Sequence, residues 1–118
     1  KINAIYNYVV SNIAYDYEKA RTVTGGYIPT IDSTIADGNG ICYDYASLLA
    51  SMLRSVGIPT KLSIGHLGSL YHAWNQVYLS ETKEWITVDS TNDALYNKYG
   101  LSYQMAKTSP LYAVEMNY

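Results

Sequence analysis

A single cysteine stands between a glycine-rich segment and a stretch of helical periodicity. Cys42 follows Gly38-Asn39-Gly40-Ile41, and glycines let the backbone come close to whatever lies beside the thiol. Apolar residues then recur at helical spacing over 41–56, and Gly57 and Pro59 end the pattern. Unpaired N–H groups and the partial positive charge at a helix N-terminus stabilise a thiolate over a thiol. The pattern therefore favours Cys42 as a nucleophile over the alternative, an inert buried cysteine.

A histidine and an aspartate follow on two runs that alternate in polarity, as β-strands do, and that are joined by a short turn. If Leu79 opposes Glu84 across this turn, His72 and Asp89 become diagonal neighbours on one face of the sheet. A diagonal pair lies about 7–8 Å apart at the backbone, within reach of two side chains. A register shifted by one residue would place the two on opposite faces. The hairpin therefore predicts a His–Asp contact.

Such a contact has a catalytic and a structural interpretation. Asp89 could hold the tautomer and orientation of the imidazole while His72 exchanges a proton with Cys42. In the structural alternative, His72 makes one structural hydrogen bond and Asp89 caps the turn at Ser90-Thr91-Asn92. Three residues of suitable type, each at an element boundary or on a matching face, favour the catalytic interpretation.

The rest of the sequence predicts the elements that must position these residues. Apolar residues at helical spacing mark two helices, and runs with β-type alternation or branching mark strands. The predicted elements are a helix over 1–14, a long loop over 15–40, a helix over 41–56, strands over 60–65, 71–79 and 85–89, and a short helix and a tyrosine-bearing strand within 93–118.

Composition narrows the class of protein. With 118 residues and 48% hydrophobic content, the chain fits one globular domain, 1–118, and its first residue, Lys1, suggests a mature form or a piece excised from a longer protein. A net charge of −2 argues against nucleic acid as a partner, and no apolar run is long enough for a membrane helix. One cysteine excludes an internal disulfide. The many neutral polar residues favour an extracellular or cell-envelope location.

Several other side chains have both a functional and a structural interpretation. His66 could form a zinc site only with the candidate catalytic residues, and the tight local pairs of structural zinc ligands are absent, so no metal site is predicted. Trp74 and Trp85 are expected to be core rings across the hairpin, with the alternative that one ring covers the site. Asn39 and Tyr27 are candidate donors to an oxyanion.

Three segments resemble motifs of the transglutaminase-like superfamily, in the same order and at short spacing. The segment Gly38-Asn39-Gly40-Ile41-Cys42-Tyr43-Asp44-Tyr45-Ala46 resembles its nucleophile motif, in which Gly-x-Cys opens a helix ending in Gly-Ile-Pro, as at 57–59 here. Residues 71–77 are similar to its His-Ala-Trp strand, and 85–91 to its Trp-x-x-x-Asp-x-Thr strand. The resemblance spans residues 1 to about 92 and favours the bacterial and archaeal cysteine-protease-like branch over papain itself, whose histidine lies much farther from the cysteine.

The resemblance implies an α+β, papain-like fold, with the nucleophile helix packed on an antiparallel β-sheet and a triad of Cys42, His72 and Asp89. It implies a thiol-dependent amide hydrolase of the cysteine protease kind, or an acyltransferase, acting on a peptide or protein through a thioester and without a cofactor. Hydrolysis is favoured because water is always present, whereas no acceptor site for a second nucleophile is evident. The alternative is a non-catalytic module that binds a peptide or polysaccharide on the same fold. Flanking domains are possible in either case.

Overall fold

The computed structural model describes residues 2–118 and has an α+β architecture; residue 1, the first position of the predicted N-terminal helix, lies outside the described residues. The helices are α1 (Ile2–Asn12), α2 (Tyr17–Thr22), α3 (Ile31–Asp37), α4 (Cys42–Ser55) and α5 (Ser90–Lys98). The strands are β1 (Ala14–Tyr15), β2 (Asn39–Gly40), β3 (Thr60–Leu67), β4 (Leu70–Leu79), β5 (Glu84–Val88) and β6 (Tyr112–Asn117).

Four strands form one antiparallel sheet in the order β5-β4-β3-β6, and β1 and β2 form a short parallel ladder. In the β4–β5 hairpin, Leu79 pairs with Glu84 and Asn75 pairs with Val88. This is the register from which the His–Asp contact was predicted. The predicted hairpin register is therefore confirmed.

Helix α4 lies at the centre of the fold, because it packs on β3 and β4 and also contacts α1 and α5. Its inward face carries the apolar residues that give the sequence its helical period, and these are buried. The Asn75 side chain, on β4, donates to the Ala46 carbonyl of α4 at 3.0 Å and so joins the sheet to the helix. The principal core residues are Tyr6, Val9, Val10, Ile13, Tyr45, Leu48, Leu49, Leu53, Val77, Val88 and Ala94.

The long loop predicted over 15–40 is wrong in part, because the segment contains two short helices and two short strands. Helix α2 has no buried residue, so no apolar stripe marks it in the sequence. It begins instead with an N-cap, in which the Asp16 carboxylate accepts a hydrogen bond from the Lys19 backbone N–H at 3.0 Å. Helix α3 is only 7 residues long, too short to display a sustained period.

Two further expectations need correction. Trp85 is not a core ring: 43% of it is exposed, and the Lys61 ammonium lies 4.3 Å from its ring centroid. Trp85 pairs with Tyr78 of β4, which is also only partly buried. Both side chains lie on the sheet face that α4 does not cover. His66 lies within β3, which extends two residues beyond the strand predicted over 60–65.

The longest helix in the described part of the chain, α4, has 14 residues, and no helix there has the length and apolar character that crossing a bilayer requires.

Candidate active site

The thiol of Cys42 is placed by the tight turn that leads into α4. Cys42 is the first residue of the helix, and Gly40, two residues earlier, has no room for a side chain because an added Cβ would lie 2.6 Å from the Cβ of Asp44. The Ile41 backbone N–H donates to the Asp44 carboxylate at 2.9 Å. Ile41 itself offers no side-chain acceptor, so Asp44 supplies half of a capping box. Gly40 and Asp44 thus fix the position where the helix begins.

The buried Asp44 carboxylate also anchors the segment between α2 and α3. Lys19 Nζ lies 2.9 Å from Asp44 Oδ2, and the Tyr27 hydroxyl donates to Oδ1 at 2.5 Å. Lys19 also hydrogen-bonds the Tyr27 hydroxyl. Burial lowers the pKa of Lys19, but hydrogen bonds to Tyr27 and Asp44 outweigh this effect and raise it above its ordinary value. Because the Tyr27 hydroxyl already donates its hydrogen bond to Asp44, it is not free to act as the oxyanion donor considered from the sequence.

His72 and Asp89 are in direct contact. His72 Nε2 lies 2.8 Å from Asp89 Oδ2, and the His72 residue is 8% exposed while Asp89 is fully buried. The other Asp89 oxygen accepts from the Asn92 backbone N–H at 3.2 Å and caps α5. The carboxylate therefore makes both contacts weighed from the sequence, one with the imidazole and one with the start of α5, each through a different oxygen.

The environment of His72 favours its charged form. Burial lowers the pKa of His72, but hydrogen bonds to Asp89 and Cys42 and the charges on both outweigh it, and the pKa rises to about 10. With Nε2 turned toward Asp89, Nδ1 is the ring nitrogen that remains for Cys42. An imidazolium at neutral pH is suited to sit beside a thiolate and to protonate a leaving amine.

Cys42 and His72 line the same cleft, which has a volume of about 440 Å³. The structure thus brings the three predicted residues together: Cys42 and His72 at the cleft, and Asp89 buried behind the imidazole. Apart from Cys42 and His72, the lining residues are uncharged: Val23, Thr24, Gly25, Tyr27, Ile41, Tyr43, Ile64, Tyr71 and Ala73. Asn39 belongs to β2 and pairs with Ala14 in the short ladder.

Two aromatic residues enclose the His–Asp pair. Trp74 is 1% exposed, so the expectation that it is a buried ring is confirmed, and its ring stacks beside His72 with centroids 6.0 Å apart. Tyr112 packs edge-on against Trp74 at 5.1 Å, and its hydroxyl donates to Asp89 Oδ2 at 2.9 Å. The sequence reasoning missed Tyr112, because it is one of 14 tyrosines and lies in a segment without a motif.

Within residues 2–118, no three or more His, Cys, Asp or Glu side chains are grouped so as to hold a metal ion. His66 instead faces Glu115, with Nδ1 at 2.7 Å from the carboxylate.

Comparisons with known proteins identify the family and the fold. The family model described as the transglutaminase-like superfamily matches residues 1–90, and no curated protein matches the chain. A Cytophaga hutchinsonii protein named as a candidate cysteine protease has a TM-score of 0.61 and 23% identity, over 76% of this chain and 30% of that one. A structure named as a TGase has a TM-score of 0.62 and 22% identity, over 76% of this chain and 25% of that one.

The calcium-bound form of Legionella pneumophila LapG has a TM-score of 0.62 and 20% identity, over 78% of this chain and 53% of that one. This chain therefore spans only a quarter to a half of the length of these structures. They share its fold, and the papain-like α+β core predicted from the sequence is confirmed. Because the family model covers most of its length, the chain belongs to the transglutaminase-like superfamily.

Proposed function

We propose that this domain is a thiol-dependent amide hydrolase in which Cys42 is the nucleophile, His72 the acid and base, and Asp89 the residue that orients His72. The observation that carries the proposal is the 2.8 Å contact between His72 and the buried Asp89, at a cleft that Cys42 also lines. Membership of the superfamily supports the same kind of chemistry.

In the first half of the reaction, the Cys42 thiolate attacks the carbonyl carbon of an amide and a C–S bond forms. The carbonyl oxygen becomes an oxyanion, for which the Cys42 backbone N–H at the first turn of α4 is a candidate donor. The C–N bond then breaks as the His72 imidazolium gives its proton to the departing amine. The products are a free amine, a thioester on Cys42 and a neutral His72.

In the second half, neutral His72 takes a proton from water, and the water oxygen attacks the thioester carbonyl. The C–S bond breaks, a carboxylic acid leaves, and the thiolate–imidazolium pair is restored. An amine in place of water would give acyl transfer. We propose hydrolysis, since water needs no second binding site, and a peptide or protein as substrate. Because similar structures are two to four times longer, recruitment of the substrate by other parts of the protein belongs to the proposal.

The reactivity of the thiol tests the proposal before any substrate is known. Cys42 is the only cysteine, so alkylation by iodoacetamide reports on one site in the intact chain. We expect Cys42 to be alkylated faster at pH 6 than free cysteine is. In His72→Ala, the alkylation rate should fall by roughly tenfold or more. A rate equal to that of free cysteine, unchanged in His72→Ala, would instead support the non-catalytic binding module.

Turnover is tested with fluorescein-labelled casein, with and without monodansylcadaverine. Release of labelled peptides by the wild type but not by Cys42→Ala supports hydrolysis. Incorporation of the amine without peptide release would support acyl transfer instead. The Cys42→Ala variant serves as its own folding control, because this substitution removes only the sulfur and should leave the circular dichroism spectrum unchanged.

A further inference from the structure

Asp89 has a partner beyond His72 and the helix that it caps. The hydroxyl of Tyr112 donates to Asp89 Oδ2 at 2.9 Å, and this is the oxygen that His72 Nε2 also contacts. Tyr112 lies in β6, outside the region that the family model matches. We propose that Tyr112 is a positioning residue, which holds the Asp89 carboxylate in the rotamer that orients His72; this inference rests on the proposed function of the site.

Strand β6 can reach the site because of a glycine beside His72. Gly65 of β3 pairs with His72 on one side and with Val114 of β6 on the other. A Cβ at Gly65 would lie 2.0 Å from the Ala113 carbonyl oxygen, so no other residue permits this approach of β6. The β3–β6 register also shifts at this point. Gly65 therefore allows β6 to lie close against β3, and the Tyr112 side chain then extends past β3 to Trp74 on the strand that carries His72.

The ring of Tyr112 is also fixed by packing. It packs edge-on against Trp74 with centroids 5.1 Å apart, and Trp74 in turn stacks beside His72. Burial and the neighbouring Asp89 carboxylate raise the pKa of Tyr112 above its ordinary range. The hydroxyl therefore stays protonated and donates a hydrogen bond to the carboxylate. The same packing excludes water from Asp89, which is fully buried.

Two donors on one carboxylate oxygen compete for its negative charge. The Tyr112 hydroxyl takes part of the charge of Oδ2, and the rest acts on His72. Without the hydroxyl, more charge remains for the imidazolium, while the carboxylate loses the contact that fixes its rotation. We therefore expect the pKa of His72 to rise in Tyr112→Phe, even as catalysis weakens.

The test uses the full chain labelled with ¹⁵N-histidine. The chain has two histidines, so His66 is an internal reference for the titration of His72 by NMR. In Tyr112→Phe, which keeps the ring on Trp74, the His72 titration should move upward by a few tenths of a pH unit or more while His66 does not move. Casein turnover should fall roughly tenfold through kcat rather than KM.

Tyr118→Phe is the matched control, since Tyr118 directly follows the same strand and its hydroxyl hydrogen-bonds the exposed Met116 sulfur rather than Asp89. An unchanged His72 titration in folded Tyr112→Phe would overturn the inference, even if Cys42→Ala abolished turnover and so upheld the proposed function. Conversely, absence of casein turnover by the wild type would refute the proposed function. The His72 titration would still decide whether Tyr112 acts on the His72–Asp89 pair. Gly65→Ala, which displaces β6 without removing the hydroxyl, should shift the His72 titration as well.

Discussion

Gly40 lies so close to Asp44 that a Cβ atom on residue 40 would come within 2.6 Å of the Asp44 Cβ and 2.9 Å of its Oδ2. Three residues separate this glycine from the first carboxylate of α4, and Cys42 is the middle one. The Gly-x-Cys spacing thus has a steric basis: the turn before the thiol closes only if residue 40 has no side chain. Asp44 then secures the turn by accepting the Ile41 N–H.

We expect Gly40→Ala to destabilise the fold by about 1–3 kcal/mol, because the added methyl group must displace Asp44 or the backbone before Cys42. Urea denaturation measures this loss. Gly25→Ala is the matched control, since no atom lies within 4 Å of the Cβ it would add, and its free energy of unfolding should change by no more than about 0.5 kcal/mol. Equal stability of the two variants would contradict the steric account.

Asp89→Asn should separate the two roles of this residue. Asparagine remains a good N-cap, and its oxygen can still accept the Asn92 N–H. Its amide NH₂ then faces His72 Nε2, which must accept, so the imidazole proton moves to Nδ1 and the base is blocked. We expect kcat to fall on the order of 10²–10⁴-fold.

Asp89→Ala is the comparison, because it also removes the cap of α5. Its free energy of unfolding should be lower than that of Asp89→Asn by about 1 kcal/mol in urea denaturation. If Asp89→Asn kept full turnover of casein, the orienting role of Asp89 would be wrong.

The stability of the fold should fall as the pH rises, through the loss of the His72 proton. The pKa of His72 is about 10 in the folded protein, against 6.5 for an unperturbed histidine, so the folded state binds more protons between these values. The contribution is complete below about pH 6.5 and disappears as the pH passes 10. The difference in free energy of unfolding between the wild type and His72→Ala should therefore shrink by a few kcal/mol from pH 7 to pH 10.

Measuring the difference between the two proteins cancels the tyrosines, whose own titration also lowers stability in alkali. His66→Ala is the control, because it removes the other histidine, whose side chain is 42% exposed and faces Glu115 rather than Asp89. A wild-type-minus-His72→Ala difference that stayed constant over this range would show that His72 is not held in its charged form.

Much of the site could be predicted because its parts follow from short-range rules. The alternation of the two strands and the short turn between them fix the hairpin register, and the register alone brings His72 to Asp89. The nucleophile helix was visible because its apolar face and its glycine and proline terminators are local signals.

The remainder depends on contacts between distant parts of the chain. Lys19 is 25 residues from Asp44, and Tyr112 is 23 residues from Asp89, and neither pairing leaves a periodic or spacing signal. Trp85 was misassigned for a related reason: an alternating strand shows which residues share a face but not which face the helix covers. These assignments require the tertiary structure.

Lys19 should matter more to stability than its neighbour Arg21, although both form ion pairs from the same short helix. The Lys19 side chain is 30% exposed and its partner Asp44 is fully buried, whereas the Arg21 and Glu18 side chains are 72% and 74% exposed. Lys19→Met leaves a buried carboxylate with one donor fewer and should cost about 1–3 kcal/mol. Arg21→Met should cost less than about 0.5 kcal/mol in the same urea titration. Similar losses in both variants would contradict the anchoring role of Asp44.

The cleft should select against charged side chains near the scissile bond, because its lining residues other than Cys42 and His72 are uncharged and offer no counter-ion. We expect chloromethyl ketones of blocked phenylalanine or leucine to alkylate Cys42 at least about tenfold faster than those of aspartate or lysine. Mass spectrometry of the intact chain gives each rate.

Tyr71 offers a way to show that the lining, rather than the reagent, sets this preference. It lines the cleft yet is 64% exposed, so Tyr71→Asp adds a carboxylate at the mouth with little effect on the core. The lysine reagent should then gain on the phenylalanine reagent, while the aspartate reagent should become slower still. Thr82→Asp, outside this cleft, adds a carboxylate of the same charge and should leave all rates unchanged. Wild-type rates that are equal for neutral and acidic reagents would contradict the proposed preference.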